Sequence, residues 1–434
     1  MLIHRTLISA FALLGSSIVL GTGLPSDLFS SVIPSKILST KSGGTYPDLT
    51  DTSGIWQYSV ADYWTSAFFS ATFYLLNTRA SLCGATSGNG LNSADWRTLG
   101  QATSTGLIPL VSNNSVGHDV GFLSYPFFDE LSLDFSNTTA QKVVEGFGAD
   151  LAARFSSIVG CTRSWDNTTD PTDFIVIIDN MMNLDLFFWA ANITGNETYI
   201  DMAKSHADTT MKNQIRSDGS TWHVVEYNST TGAVIRKRTA QGYSNNSTWT
   251  RGQAWGTYGY ANMYYRTGDA KYLETSRRLA DLFLSRIPDD GIIPWDFDAP
   301  EGDRPADTSA ATIFSTALLF LSQQETDATN ATKWANAAIE ILTNTTNFAW
   351  SADWESLIKN GTSDKPSDSW DTGIVYGDYY LVKATNELLS MNLTDCSGNE
   401  VSASSNTTAS GTASSATAAS SQVNGARRSA GIFW

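Results

Sequence analysis

The residues best suited to chemistry are acids placed where an acid is expensive. Asp179 falls inside FIVIIDNMMNLDLFFWAAN (174–192), an apolar run that also carries Asn180, Asn183 and Asp185. The run reads as a helix that is apolar on nearly every side and so is buried all round. Positions 179 and 183 are four apart and share a face, with Asn180 beside them. A buried ionised carboxylate is tolerated for pairing, metal binding or chemistry. The alternative is that Asp179 caps a helix that begins there. The run alone is compatible with both.

Five further stretches carry reactive types. Asp119 follows His118 in GHDVGFLSY (117–125), at a Gly-flanked helix start where a cap is again the plainer reading. His223 follows Trp222 in STWHVVEYN (220–228), on a short strand; a lone His beside Trp is often only packed core. Arg251 lies in QGYSNNSTWTRGQAWGTYGYA (241–261), between Trp249 and Trp255. That setting suits a fork gripping a carboxylate, or else a structural cation stacked on indoles. A Pro-rich loop, IIPWDFDAPEGDRPADTSAATI (292–313), delivers Asp307 and Ser309 to the next helix, and SWDTGIVYGDYYLVKA (369–384) offers Trp370 and Tyr376. Carboxyls for acid/base work, one Arg, one His and a wall of Trp and Tyr are what a sugar ring requires: its faces stack and its hydroxyls are hydrogen-bonded. The Arg suggests a sugar that itself carries a carboxylate.

These stretches lie far apart, so the elements between them must bring them together. From about 54 to 393 an acidic or aromatic helix alternates with a more amphipathic one. TGNETYIDMAKSHAD (194–208) is echoed by TGDAKYLETSRRLAD (267–281), each after an apolar, aromatic helix (174–192 and 250–266). Repeated helical hairpins build toroids or solenoids. Six inner helices open near Asp62, Asp119, Asp179, Arg251, Asp307 and Asp371, the first spanning 54–77. A closed ring of six pairs, an all-α (α/α)6 barrel, fits that count. Short β signals at 222–227 and 233–236 read as a small hairpin over one end. Inner helices of such a ring aim one end at a shared pocket, where the candidate residues would meet.

The 434 residues suffice for a large core. Residues 1–23, with a basic start and an apolar run over 7–20, read as a secretory signal peptide. Residues 24–53 read as an extended lead-in, 54–395 as the catalytic domain, and 396–434, rich in Ser, Thr and Ala, as a disordered tail. Asn-X-Ser/Thr acceptors recurring from Asn113 to Asn406 indicate a eukaryotic, N-glycosylated, extracellular chain. A net charge of −16 speaks against nucleic acid and anionic membrane surfaces as partners. Three cysteines supply no metal cage; one bridge is expected, Cys83–Cys161 by preference, with Cys396 left over. No metal or organic cofactor is called for, and a monomer is expected.

HDVGF, IIDNMMNLDLFFWAA, WHVVEYN, QGYSNNSTWTRGQAWGTYGYA, PWDFDAP with DTSAA, and YGDYY, in that order over about 55–393, resemble the unsaturated glucuronyl hydrolases, glycoside hydrolase family 88. The resemblance implies a six-hairpin (α/α)6 toroid. It matches Asp179 to the general acid/base and Asp119 to a second essential carboxylate. His223, Gln241 and Arg251 fall on substrate-contacting positions, and Trp64, Trp165 and Trp255 on the aromatic wall. The chain departs at Ala240, where bacterial members carry His, beside the leaving-group subsite. The implied substrate is the 4,5-unsaturated uronic acid that a polysaccharide lyase leaves at a non-reducing end. Asp179 would protonate C4 and assist water attack at C5, and the hemiketal would open to release the neighbouring sugar. Asp119 would stabilise the developing oxocarbenium charge. Burial and Asp119 should together raise the Asp179 pKa. Three other readings stand beside this one: an unsaturated rhamnogalacturonyl hydrolase acting on pectin fragments, an inverting glycosidase on the same barrel, and a non-catalytic carbohydrate-binding barrel that has no need of both acids.

Overall fold

Thr-Gly ends a helix in the same way twice. Gly195 (φ 72°) and Gly268 (φ 70°) take the left-handed backbone that a Cβ disfavours, and their amides donate to Ala191 O and Tyr264 O. A new helix starts within three residues; at the second turn the Asp269 carboxylate caps it by accepting from Lys271 N. The sequence echo is therefore the turn of a helical hairpin.

The computed structural model describes residues 24–40, 43–167, 169–170, 172–399 and 401. The signal-peptide reading and nearly all of the expected tail lie outside them. In chain order come α1 (Val32–Ser39), β1 (Tyr46–Thr50), β2 (Trp56–Ser59), α2 (Ser66–Cys83), α3 (Trp96–Ser104), α4 (Val120–Leu123), α5 (Tyr125–Leu133) and α6 (Thr138–Ala153). Then follow β3 (Phe155–Ser156), β4 (Cys161–Thr162), β5 (Asp173–Ile177), α7 (Asn180–Asn183), α8 (Asp185–Thr194), α9 (Thr198–Gln214), β6 (Val224–Asn228) and β7 (Val234–Arg238). The last are α10 (Thr250–Thr267), α11 (Ala270–Ser285), α12 (Thr308–Gln324), α13 (Ala328–Ala349), β8 (Gly361–Asp364), β9 (Ser369–Thr372) and α14 (Val375–Ser390).

The helices close a ring. α2 packs on α4 and α5, α4 on α7, α7 and α8 on α10, α10 on α12, α12 on α14, and α14 on α2. Behind them stand α3, α6, α9, α11 and α13, and the turn Ser26–Phe29 packs on α14. Burial separates the layers: 14 of the 17 residues of α12 are buried, against 10 of the 22 in α13 behind it. The inner helices approach closely because they are rich in Ala, Ser and Thr. Their hydroxyls are satisfied within the helix, as where Ser315 and Thr316 donate to Ala311 O and Thr312 O (both 2.9 Å). Aromatic rings fill the centre, with Phe122 5.5 Å from Phe68 and 5.4 Å from Trp255 between ring centroids.

Three expectations of secondary structure change. The apolar run at 174–192 is not one helix: β5, all five residues buried, leads into α7 and α8. Its β-branched Ile and Val favour a strand, and a strand buried on both faces loses the alternation that would reveal it. Likewise 54–77 begins as β2, and α2 starts at Ser66. The lead-in 24–53 contains a helix and a strand. It is clamped by Lys36 Nζ, which donates to Trp354 O (2.5 Å) and Ser356 O (2.9 Å), and by Arg79 Nη1, which donates to Leu28 O (3.2 Å). The hairpin expected over 222–227 and 233–236 is present as the antiparallel pair β6 and β7, and among the described residues it belongs to the largest of four small sheets, of order β5-β6-β7.

The disulfide joins Cys83 to Cys396 (Cα–Cα 5.6 Å), and Cys161 is the buried free thiol. Cys396 is therefore tied to the end of α2, and Asp395 beside it accepts from Ser397 N and Asn399 N (2.8 and 2.9 Å). Alkylation of the unreduced, unfolded chain followed by peptide mass spectrometry should label Cys161 alone. Label on Cys396 would instead indicate the Cys83–Cys161 pairing.

Candidate active site

Asp179 is placed by a sheet. β5 and β6 pair antiparallel with Ile177 opposite Val224, and Ile178 N donates to His223 O (3.0 Å). One residue beyond this register on each strand stand Ile178 and His223, and Asp179 follows at the start of α7. Asp179 occupies the cap position, yet its φ and ψ are helical (−56°, −28°) and its side chain accepts no capping bond. Its Oδ1 has no protein partner. The cap reading fails, and the carboxyl is free for other work.

Asp119 enters from the turn before α4. Asn183 Oδ1 accepts from Phe122 N (3.0 Å), and Gly121 lies so close to Asn183 that a Cβ there would overlap its Oδ1. That approach presses the turn onto α7 and sets the two carboxyls together; the Asp119 side chain keeps 17 % exposure. Burial pushes both acids up, Asp179 to about 7 and Asp119 well above the usual carboxylate range, with the charge of Asp179 adding to the rise at Asp119. Arg251 opposes the rise at Asp179. The expected elevation of Asp179 is thus present through burial.

His223 is neutral, and its tautomer follows from its bonds. Nδ1 accepts from Ala240 N (3.2 Å) and Gln241 N (3.4 Å), so Nε2 carries the hydrogen and has no partner. Burial, with Arg251 and Arg238, holds its pKa well below the ordinary value. The ring stacks on Trp249 (4.3 Å) and meets Trp165 edge-on (5.9 Å).

Arg251 does not present a free fork. It is 1 % exposed, and Nη1 donates to Asp307 Oδ2 and Thr362 O (both 2.6 Å) while Nη2 donates to Ser363 O (2.5 Å). The guanidinium lies over Trp249 (4.6 Å) and Tyr376 (5.6 Å). It is the stacked structural cation, and its charge reaches the pocket through space. Gln241 is similarly engaged: Nε2 donates to Ser363 O (3.1 Å) and its carbonyl accepts from Trp295 Nε1 (2.6 Å). Trp64, half-buried, faces Tyr376 (5.0 Å), and Trp165 is half-buried beside His223. Trp255 is fully buried against Phe122 and Tyr380, so it is floor rather than wall. A small cavity lined by Ile37, Trp56, Phe69 and Asp378 contains none of these residues. The Ser363 carbonyl, on which Arg251 and Gln241 converge, was invisible in the sequence because a backbone acceptor has no residue signature.

No family model matches the chain. It is 36% identical over 330 residues to an unsaturated glucuronyl hydrolase of Formosa agariphila, covering 74% of this chain and 78% of that one. A solved unsaturated glucuronyl hydrolase specific for heparin superposes with a TM-score of 0.76 at 30% identity, over 86% of this chain and 98% of the other. An Asp-to-Asn variant solved with dGlcA-Glc-Rha-Glc gives 0.75 at 28% identity, over 84% and 95%.

Arg251→Ala would leave Asp307 buried without its cation. A loss of about 3–5 kcal/mol of stability is expected, measured by urea unfolding. Unchanged stability with only weaker substrate binding would instead restore the fork.

Proposed function

The chain belongs to the unsaturated glucuronyl hydrolases, and from that premise we propose that Asp179 is the general acid/base with Asp119 as the second carboxyl of its pocket. The enzyme hydrolyses the unsaturated uronic acid from oligosaccharides. The ring oxygen makes the double bond of that sugar a vinyl ether, so protonation at C4 places positive charge at C5, where water adds. Asp179 gives the proton to C4 and, as the carboxylate, takes one from the attacking water. The hemiketal then opens and the neighbouring sugar leaves. The observation that carries this reading is the buried Asp179 carboxyl, raised to about 7, with Oδ1 unpartnered.

Substrate contacts follow the exposure of each group. His223 Nε2–H is a donor in want of an acceptor and hydrogen-bonds the sugar. Trp64 and Trp165 stack on ring faces. Arg251 and Gln241 act through the Ser363 carbonyl and hold the β8–β9 hairpin in place, and Arg251 adds positive potential that favours a uronate. Trp255 supports the floor.

The protein is read as an exported, N-glycosylated eukaryotic monomer. Residues 1–23 support export, as does the Cys83–Cys396 bridge. Of the 12 described acceptor asparagines none is buried, and Asn113, Asn192, Asn196, Asn245, Asn246 and Asn392 are exposed. Treatment of the secreted protein with an endoglycosidase should increase its mobility on a denaturing gel; no change would remove the glycoprotein reading.

Asp179→Asn should abolish loss of the ultraviolet absorbance of the conjugated double bond, with circular dichroism unchanged. Turnover surviving in that variant would sink the assignment. Because Asp179 must be protonated to act, wild-type kcat/KM should fall as pH rises through about 7.

A further inference from the structure

The hydrogen bonds around His118 fix which of its ring nitrogens is bare. Nδ1 lies 3.0 Å from Ser164 O, and a carbonyl only accepts, so Nδ1 carries a hydrogen and donates it. The ring is 1 % exposed, and Arg154 Nη2 donates to the same carbonyl (3.1 Å). A second ring proton would bury a cation beside a guanidinium; burial and Arg154 push the His118 pKa down to about 3. Nε2 is therefore a lone pair. It lies 3.2 Å from Asp119 Oδ1, off the line of a full hydrogen bond, and has no other partner. Two acceptors that close repel each other unless a proton lies between them.

Asn183 meets Asp119 as well. Its Oδ1 is committed to Phe122 N, so it offers Asp119 its Nδ2, near enough to favour the charged carboxylate though outside strict hydrogen-bond geometry. A lone pair and an amide donor are together the surroundings of a neutral carboxylic acid, hydroxyl toward one and carbonyl toward the other. The remaining charged and titratable groups facing the pair are Asp179 at the start of α7, Arg154 after α6 and, beyond His118, His206 on α9. Arg154 favours ionisation of Asp119, but both its terminal nitrogens donate to Asp166 Oδ2 (3.1 Å each).

We propose that His118 is a positioning residue that holds Asp119 as the neutral acid, its O–H turned toward Nε2, so that Asp179 is the one carboxyl of the pair that changes charge during turnover. The proposal rests on the assignment of Asp119 and Asp179 as the working pair. Its consequence is chemical. An anionic sugar enters a pocket that carries at most one carboxylate, and Asp119 works by hydrogen bonding and shape rather than by negative charge.

The test is infrared difference spectroscopy of the free protein, about one pH unit above the Asp179 transition. Other buried acids also titrate high, Asp129 and Asp378 among them, so the signal is the protonated-carboxyl band that disappears in Asp119→Asn. Wild type should show that band. His118→Gln, whose amide oxygen can replace the Nε2 lone pair, should keep it. His118→Asn, which can still reach Ser164 O but has nothing at the Nε2 position, should lose it, with the Asp119 transition moved down by about one to two pH units. The alkaline fall of kcat/KM in His118→Asn should then move up, because an ionised Asp119 now opposes ionisation of Asp179. Absence of an Asp119-dependent band in wild type, or an unshifted band in His118→Asn, overturns the proposal. If His118→Asn does not fold, the nitrogen-15 shift of His118 Nε2 in wild type against Asp119→Ala decides it: a lone pair hydrogen-bonded only when Asp119 is present is expected, and an unchanged shift overturns the proposal. The band requires no turnover, so failure of the acid/base assignment is read separately, from activity surviving in Asp179→Asn.

Discussion

Two carboxyl groups held where water is scarce set the terms for the rest of this molecule. Taking an ionised carboxylate out of water costs several kcal/mol, and a protein avoids that cost by pairing the group or by letting it stay protonated. Asp307 takes the first course, locked to Arg251 and to the first turn of α12. Asp179 and Asp119 lean to the second, burial raising both above the usual carboxylate range. The same apolar interior thus yields a structural ion pair on one side of the pocket and a proton-carrying site on the other. A catalyst that must deliver a proton to carbon near neutral pH needs the second kind of acid.

The ring supplies the concavity, and the small sheets supply the precision. Inner helices alone would bring their starts to one end of the toroid without fixing side chains relative to one another. The pairing of β5 with β6 does that for Asp179 and His223, and the close approach of Gly121 to Asn183 does it for Asp119. The β8–β9 hairpin is held by two side chains, Arg251 at Thr362 O and Ser363 O and Gln241 at Ser363 O. Arg251 consequently serves fold and site together: it neutralises Asp307, anchors the hairpin and lends its charge to the pocket.

The ring of six hairpins was legible in the sequence because hairpin turns leave a chemical trace. Thr-Gly followed by Asn or Asp, whose side chain accepts from the start of the next helix, has one plain conformational meaning, and the helix starts inferred near 62, 119, 179, 251, 307 and 371 lie within four residues of those observed. β5 was misread because a strand buried on both faces has no period. The disulfide was misassigned because chain separation says nothing about where Cys396 returns. At the site, the acids and His223 stood out by type. The fork reading of Arg251 failed because the sequence does not show which partner a cation finds first: Asp307, 56 residues on, supplies the carboxylate that a substrate was expected to bring. His118 was noticed only as the neighbour of Asp119; the carbonyl of Ser164 that sets its tautomer has no signature at all.

The point of attack is the double bond, not the glycosidic bond. The most direct measurement is release of the leaving sugar from an unsaturated disaccharide and from its saturated counterpart, identical apart from the 4,5 double bond. Release from the first and none from the second is expected, since Asp179 has no vinyl ether to protonate there. Comparable release from the saturated compound would contradict it and make the protein an ordinary glycosidase on the same barrel.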